Sequence, residues 1–162
     1  MKKIAFLLVL ALCLSMPVGT VAMAEGETAT PSLEIALYTV PMRATVSILY
    51  AVEAAGYESF DGLKLLCDKG KGEEEVLPAG TLNIDGVDYI IFEYSNLAAS
   101  EMDLDVTAKV SYGGATGAPV SYSVADFAQS YLAGNGSADC KALVTAMIEY
   151  GAAVKAMASA KS

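Results

Sequence analysis

No histidine and no tryptophan occur among the 162 residues of this chain. Without histidine it has no side chain that ordinarily titrates near neutral pH, and the commonest metal ligand is missing. Ser-His-Asp and Cys-His nucleophile systems are therefore excluded outright. Without tryptophan, a platform for stacking on sugars has to be built from the nine tyrosines. Basic residues are scarce too, 10 against 19 acidic, which gives a net charge of −9. A surface of that sign repels nucleic-acid phosphates and anionic membranes. Acidic charge is also an ordinary route to solubility, so it names no partner by itself. The apolar run Ile4 to Leu14 is shorter than the ~20 residues needed to cross a bilayer, and Ser15 and Pro17 break its continuation.

What is present at the start has the form of an export signal. Lys2 and Lys3 supply the positive end, Ile4 to Leu14 the apolar core, and Ala22-Met23-Ala24 a small-residue cleavage site. Lipoprotein processing at Cys13 would want a small residue before it, and Leu12 stands there. The reading is a cleaved signal peptide over 1–24 of a bacterial exported protein, with no membrane span after cleavage. Cleavage removes Lys2 and Lys3 and moves the net charge from −9 to −11. The remainder is long enough for one domain with a proper core. It keeps two cysteines, Cys67 and Cys140. In an oxidising compartment they can pair, while the apolar pattern around each fits two free buried thiols equally well.

Residues 25–31 are polar and short, a flexible lead-in. From Ser32 to Tyr122 the pattern is that of an antiparallel β region. Leu33, Ile35 and Leu37 alternate in a strand ending near Pro41. Val46, Ile48, Tyr50 and Val52 give a second strand, favoured over helix by β-branched and aromatic content. Gly56 to Gly62 reads as a loop and Leu63 to Cys67 as a third strand. Lys69 to Glu75 reads as a charged turn, with Glu73, Glu74 and Glu75 solvated. Thr81 to Tyr94 is the clearest hairpin, folded at Asp85-Gly86. A helical turn is expected within Leu97 to Met102. Leu104 to Tyr112 and Pro119 to Tyr122 complete six or seven strands. Regular turns without interleaved helices favour an antiparallel β-sandwich over a parallel sheet.

The chain then changes period. Ser123 and Asp126 have capping-box spacing. Val124, Phe127, Ala128, Tyr131 and Leu132 mark one face of a helix that Gly134 and Gly136 should stop in a left-handed conformation. Ser137 and Asp139 restart a second helix. Its expected apolar stripe is Cys140, Leu143, Val144, Met147, Gly151, Val154 and Ala158. The glycine is out of place in a helix interior, where it costs about 1 kcal/mol relative to alanine. A close approach by backbone of the same domain, rather than of a partner, is the expected reason. Residues 123–159 are thus a helix pair whose greasy side should close over the strands, making one domain with 32–122 and an α+β fold.

The runs YSVADFAQSYL and KALVTAMIEYGAAVK, with Leu97-Ala98-Ala99-Ser100-Glu101-Met102 ahead of them, resemble the C-terminal strand and helix-pair module of secreted and cell-surface proteins from gut and rumen anaerobic bacteria. The resemblance covers about the last third of the chain. Glu149 and Lys155 stand where that module more usually has Asn and Gln. The resemblance implies a fold and a location, not a reaction.

Several residues are candidates for chemistry. Glu101, Asp103 and Asp105 form an oxygen-rich cluster of the kind calcium takes, though charge placed against edge-to-edge pairing of strands accounts for it more simply. Glu53 and Glu58 would serve a glycosidase only if they converge across a cleft ~5–9 Å wide. Tyr57, Tyr89, Tyr94 and Tyr112 offer a possible ligand surface, with cross-strand packing as the ordinary use of tyrosines at that spacing. Leu77 to Thr81 has the wrong residue order for a wall-sorting signal. Asn135-Gly136-Ser137 fits a glycosylation acceptor and a helix-joining turn alike. No cofactor is implied. The expected function is an exported, non-enzymatic module, secreted or at the cell surface, that contacts a protein or an envelope component. A small carbohydrate-binding module using tyrosines is the alternative, and an acid-base glycoside hydrolase a second one.

Overall fold

The computed structural model describes residues 30–41, 43 and 45–160. The export signal and most of the 25–31 lead-in lie outside the described residues. Nine described strands run in chain order as β1 (Leu37–Thr39), β2 (Ile48–Glu53), β3 (Lys64–Asp68), β4 (Glu73–Val76), β5 (Pro78–Ile84), β6 (Val87–Tyr94), β7 (Val106–Tyr112), β8 (Ala115–Thr116) and β9 (Val120–Tyr122). They form two antiparallel sheets. One has the order β1-β2-β6-β5. The other has the order β4-β3-β7, with β8 and β9 sharing the far edge of β7. With the helices α1 (Val124–Ala133) and α2 (Ala138–Ser159), the architecture is α+β.

Period-two alternation places the core. In the first sheet Ile48 pairs with Tyr94, Tyr50 with Phe92 and Val52 with Ile90. In the second, Leu65 pairs with Val110 and Cys67 with Ala108. All ten are buried and belong to one apolar cluster that draws on both sheets. Burying the larger of these side chains contributes roughly 1.5–3 kcal/mol each, and the Ala108 methyl about 0.8 kcal/mol. The β5–β6 hairpin turns where the sequence indicates, with Asp85 at φ 50° and Gly86 at φ 87°. Two consecutive positive φ values are what a two-residue turn needs to match strand twist.

The edges differ from the sequence reading. Glu73 to Glu75 are not a solvated loop but belong to β4, laddered on β3. Three glutamates in a row have weak β preference, and here tertiary partners override it. Glu73 pairs with Lys109 and Glu75 with Lys64. Between them Glu74, opposite Cys67, accepts from the Asn96 amide at 2.7 Å. At Leu77 the chain leaves β4 and enters β5, so it passes there from one sheet to the other. On β7, Gly113-Gly114 closes a short hairpin with β8, so the strands outnumber the six or seven expected.

The helices also need correction. Ser123 caps α1 as expected, accepting from the Asp126 N–H at 3.0 Å while Asp126 accepts from the Ser123 N–H. Gly134 ends α1 in an extended, not left-handed, conformation. At Gly136 a Cβ would lie 2.7 Å from the Tyr131 ring, so any larger residue there has to displace the end of that side chain. Helix α2 does not close over the strands with its whole apolar stripe. It packs on α1 and on a 3-10 turn at Ala99–Glu101, burying Val144 and Gly151. Met147 and Ile148 reach the core cluster, whereas Cys140, Leu143 and Ala158 remain exposed. The core cluster draws mainly on strand residues, and α2 adds only Met147 and Ile148 to its margin. No helix among the described residues is long and apolar enough to cross a membrane.

Candidate functional site

A concavity of about 620 Å³ lies between α2 and the segments that precede β2 and β7. Three segments wall it. Val40, Pro41, Arg43, Thr45 and Val46 come from the connection between β1 and β2, and Ser95, Leu97, Ala99 and Met102 from the connection between β6 and β7. Leu143, Met147 and Tyr150 come from α2. Spacings of four and three put these three residues on one side of the helix. The walls are mostly apolar, and among the described residues the sole charged group lining the groove is Arg43. Its guanidinium lies 3.3 Å from Glu93, which also accepts from the buried Ser47 hydroxyl at 2.8 Å.

The groove continues into an exposed ridge. Leu143 is 55 % exposed, Tyr150 63 % and Met157 62 %. Large apolar side chains that face water singly are ordinary, but three in line on one helix are an apolar patch of the kind that marks interaction sites. A smaller pocket of about 130 Å³ opens on the other side of Gly151, between Met102, Ala125 and Ile148. Lys155 and Asp103 form an ion pair at its rim, which draws the Asp103 carboxyl below its usual range.

Carboxylates chosen from the sequence are engaged elsewhere. Glu101 holds Lys69 at 2.8 Å and Lys71 at 2.6 Å, and also accepts from the Ala98 N–H. The hydrogen bonds from Lys69 and then Lys71 pull its carboxyl down to about 2. With Asp103 occupied by Lys155, the calcium reading of Glu101, Asp103 and Asp105 finds no open set of oxygens. Among the described residues no group of three or more acidic or sulfur ligands is placed to hold a metal. Glu53 and Glu58 are both exposed, and neither lines the two concavities described above. Arg43, Lys64, Lys69, Lys71, Lys109 and Lys155 each pair with a carboxylate, so these cations leave no basic patch for a phosphate.

The tyrosines are not gathered on one surface. Tyr94 is 1 % exposed, and burial followed by the Glu74 charge pushes its hydroxyl up to about 12. It offers no face to a ligand. Tyr57 and Tyr112 meet edge to face at 5.0 Å, and the Tyr57 hydroxyl donates to the Ser32 carbonyl. They fasten the segment before β1 to the second sheet. Tyr89 stands between Glu53 and Leu82 on the first sheet, half-buried. Cys67 and Cys140 are both free, the first buried and the second exposed. The groove is not legible in the sequence because its walls come from three distant segments. Its one local sign is Tyr150 on a helix otherwise rich in alanine. Compared with family models, curated proteins and solved structures, the chain matches none of them.

Proposed function

We propose that the chain is an exported, non-enzymatic binding module in which the two sheets pack face to face as a sandwich and the α2 groove docks an apolar segment of another polypeptide. The observation that carries this reading is the groove of about 620 Å³ continuous with the exposed Leu143 and Tyr150. Interfaces draw their affinity from a few large side chains seated in such recesses, with tyrosine among the commonest anchors. Arg43 at the rim suits a partner that carries a hydrogen-bond acceptor beside its apolar residues. The signal-like first 24 residues support export, and the absence of histidine from the sequence supports a role without acid-base or nucleophilic chemistry.

The test is capture from native bacterial envelope extracts by the immobilised chain and by a Leu143→Ser/Tyr150→Ser double variant. Retention of a defined protein by the parent and its loss with the variant is the expected result. Equal capture by both would sink the docking role of the groove. A glycan array adds an independent check. Polysaccharide binding that is lost with Tyr57→Ala or Tyr112→Ala would overturn the reading in favour of a carbohydrate module.

A further inference from the structure

We infer that the polypeptide received at this surface is a second copy of the same chain, its α2 lying antiparallel to the first across a two-fold axis. The inference rests on the docking role proposed for Leu143 and Tyr150, the two residues that the groove shares with the exposed ridge, and names the partner that meets them. Its starting point is the order of side chains along the ridge. Leu143, Ala146, Tyr150, Ala153, Met157 and Ala160 recur at alternating steps of three and four, the spacing of a helix-pairing seam. All six are exposed. Every position of one class is large and every position of the other is alanine.

That alternation selects both the partner and its direction. In an antiparallel pair a large residue faces a small one, so Leu143 lies opposite Ala160, Tyr150 opposite Ala153 and Met157 opposite Ala146. The contacts are reciprocal, as a two-fold axis demands. A parallel pair would set Tyr150 on Tyr150 and alanine on alanine, alternating crowded and empty layers.

Charge agrees with the shape. The six seam positions carry no ionisable group other than the Tyr150 phenol, in a chain whose net charge is −9. Two acidic copies therefore meet here without opposed carboxylates in the seam. Glu149, on its flank, is staggered from its twin by about 7 Å along the axis in this register. Antiparallel helices also set each positive N-terminal end beside a negative C-terminal end. Area sets the strength. Leu143, Tyr150 and Met157 together leave on the order of 400 Å² in water, within the range of a functional patch. With the alanines, a symmetric pair buries about 1,200 Å² in total, the lower bound of a standard interface.

Sedimentation velocity of the chain from Glu25 onward, from about 1 to 500 μM, reads this directly. A monomer–dimer equilibrium is expected, and Ala153→Glu, which alters only an exposed side chain, should hold the protein monomeric with an unchanged circular dichroism spectrum. Direction is read by oxidative cross-linking in a Cys140→Ser background. Leu143→Cys mixed with Ala160→Cys should form disulfide dimers, while Leu143→Cys alone should not, its twins being about 25 Å apart. Cross-linking by Leu143→Cys alone would overturn the antiparallel arrangement. A monomer at every concentration would overturn self-pairing altogether. If the monomer still captures an envelope protein through Leu143 and Tyr150, the docking role of these residues stands and the second copy as their partner falls. If it captures none, both fall.

Discussion

Gly151 in α2 sits against the main-chain carbonyl of Ala99, so close that a Cβ on the glycine would lie 2.8 Å from that oxygen and 2.9 Å from the Met102 sulfur. The glycine that looks out of place in the sequence is thus where the helix touches the 3-10 turn. Met102 can swing aside, but the Ala99 carbonyl is backbone and cannot. Gly151→Ala gains roughly 1 kcal/mol of helix preference and loses more to the collision, since overpacking costs typically 1–3 kcal/mol. The expected outcome is net destabilisation in urea melts, with α2 lifted from the turn. A stabilised Gly151→Ala protein would show that α2 is held elsewhere.

Glu101 fastens that same turn to the β3–β4 hairpin, and its protonation should be visible as acid sensitivity. Its carboxyl is held at about 2 against an ordinary 4.5, first by the bond from Lys69 and then by that from Lys71. The folded value is depressed, so the unfolded chain takes up the proton first. The stabilisation is complete above pH 4.5 and is lost as pH falls toward 2. Lys69 is only 7 % exposed. Glu101→Gln therefore leaves a buried ammonium without its counter-charge and should cost about 3 kcal/mol at neutral pH. The melting-temperature gap between parent and variant should narrow between pH 4.5 and 2. A gap that stays constant over that interval would mean that Glu101 keeps no depressed carboxyl.

How much of this is legible in the sequence depends on how local each signal is. The Asp85-Gly86 hairpin and the Ser123–Asp126 cap are readable because the interacting groups lie within a few residues of one another. Strands such as β2 and β7 declare themselves by alternation. Strand β4 does not, because its glutamates are held by Lys64 and Lys109 from neighbouring strands. The buried side of α2 is hidden for a related reason. A run of Leu, Val, Met and Ala is apolar nearly all round, so periodicity cannot tell that Val144 and Gly151 face inward and Leu143 outward. Glu101 has the look of a cation ligand in the sequence, and only the fold sets Lys69 and Lys71, thirty residues away, upon it.

Tyr50 offers a test of the core itself. Its side chain is fully buried between Ile48 and Val52, and its hydroxyl has no hydrogen-bond partner among the described residues. Burial pushes the pKa of that hydroxyl far above the ordinary tyrosine value, keeping it protonated. An unmet buried hydroxyl costs about 1–3 kcal/mol, whereas the ring contributes by packing. Tyr50→Phe keeps the ring and deletes the penalty, so it should raise stability in denaturant melts by about 1 kcal/mol. A loss of stability would reveal a partner for that hydroxyl, such as an internal water.

The two thiols should separate cleanly in a reactivity assay. Cys67 lies in the core cluster, where burial and then the nearby Glu74 charge push its thiol up to about 12. At pH 8 almost none is thiolate, and no reagent reaches it without unfolding. Cys140 is exposed in the first turn of α2, and hydrogen bonds from Ser137 and then Tyr131 draw its thiol below the ordinary value. A disulfide reagent at pH 8 should consume one equivalent quickly and a second only in denaturant. Tyr131→Phe should slow the fast phase while leaving the slow one unchanged, because the phenol helps to stabilise the Cys140 thiolate and is remote from Cys67 in sequence. Two fast equivalents would mean that β3 opens readily. No fast equivalent in a protein purified under oxidising conditions would mean that the thiols had paired, which requires the first turn of α2 to leave the position it occupies here.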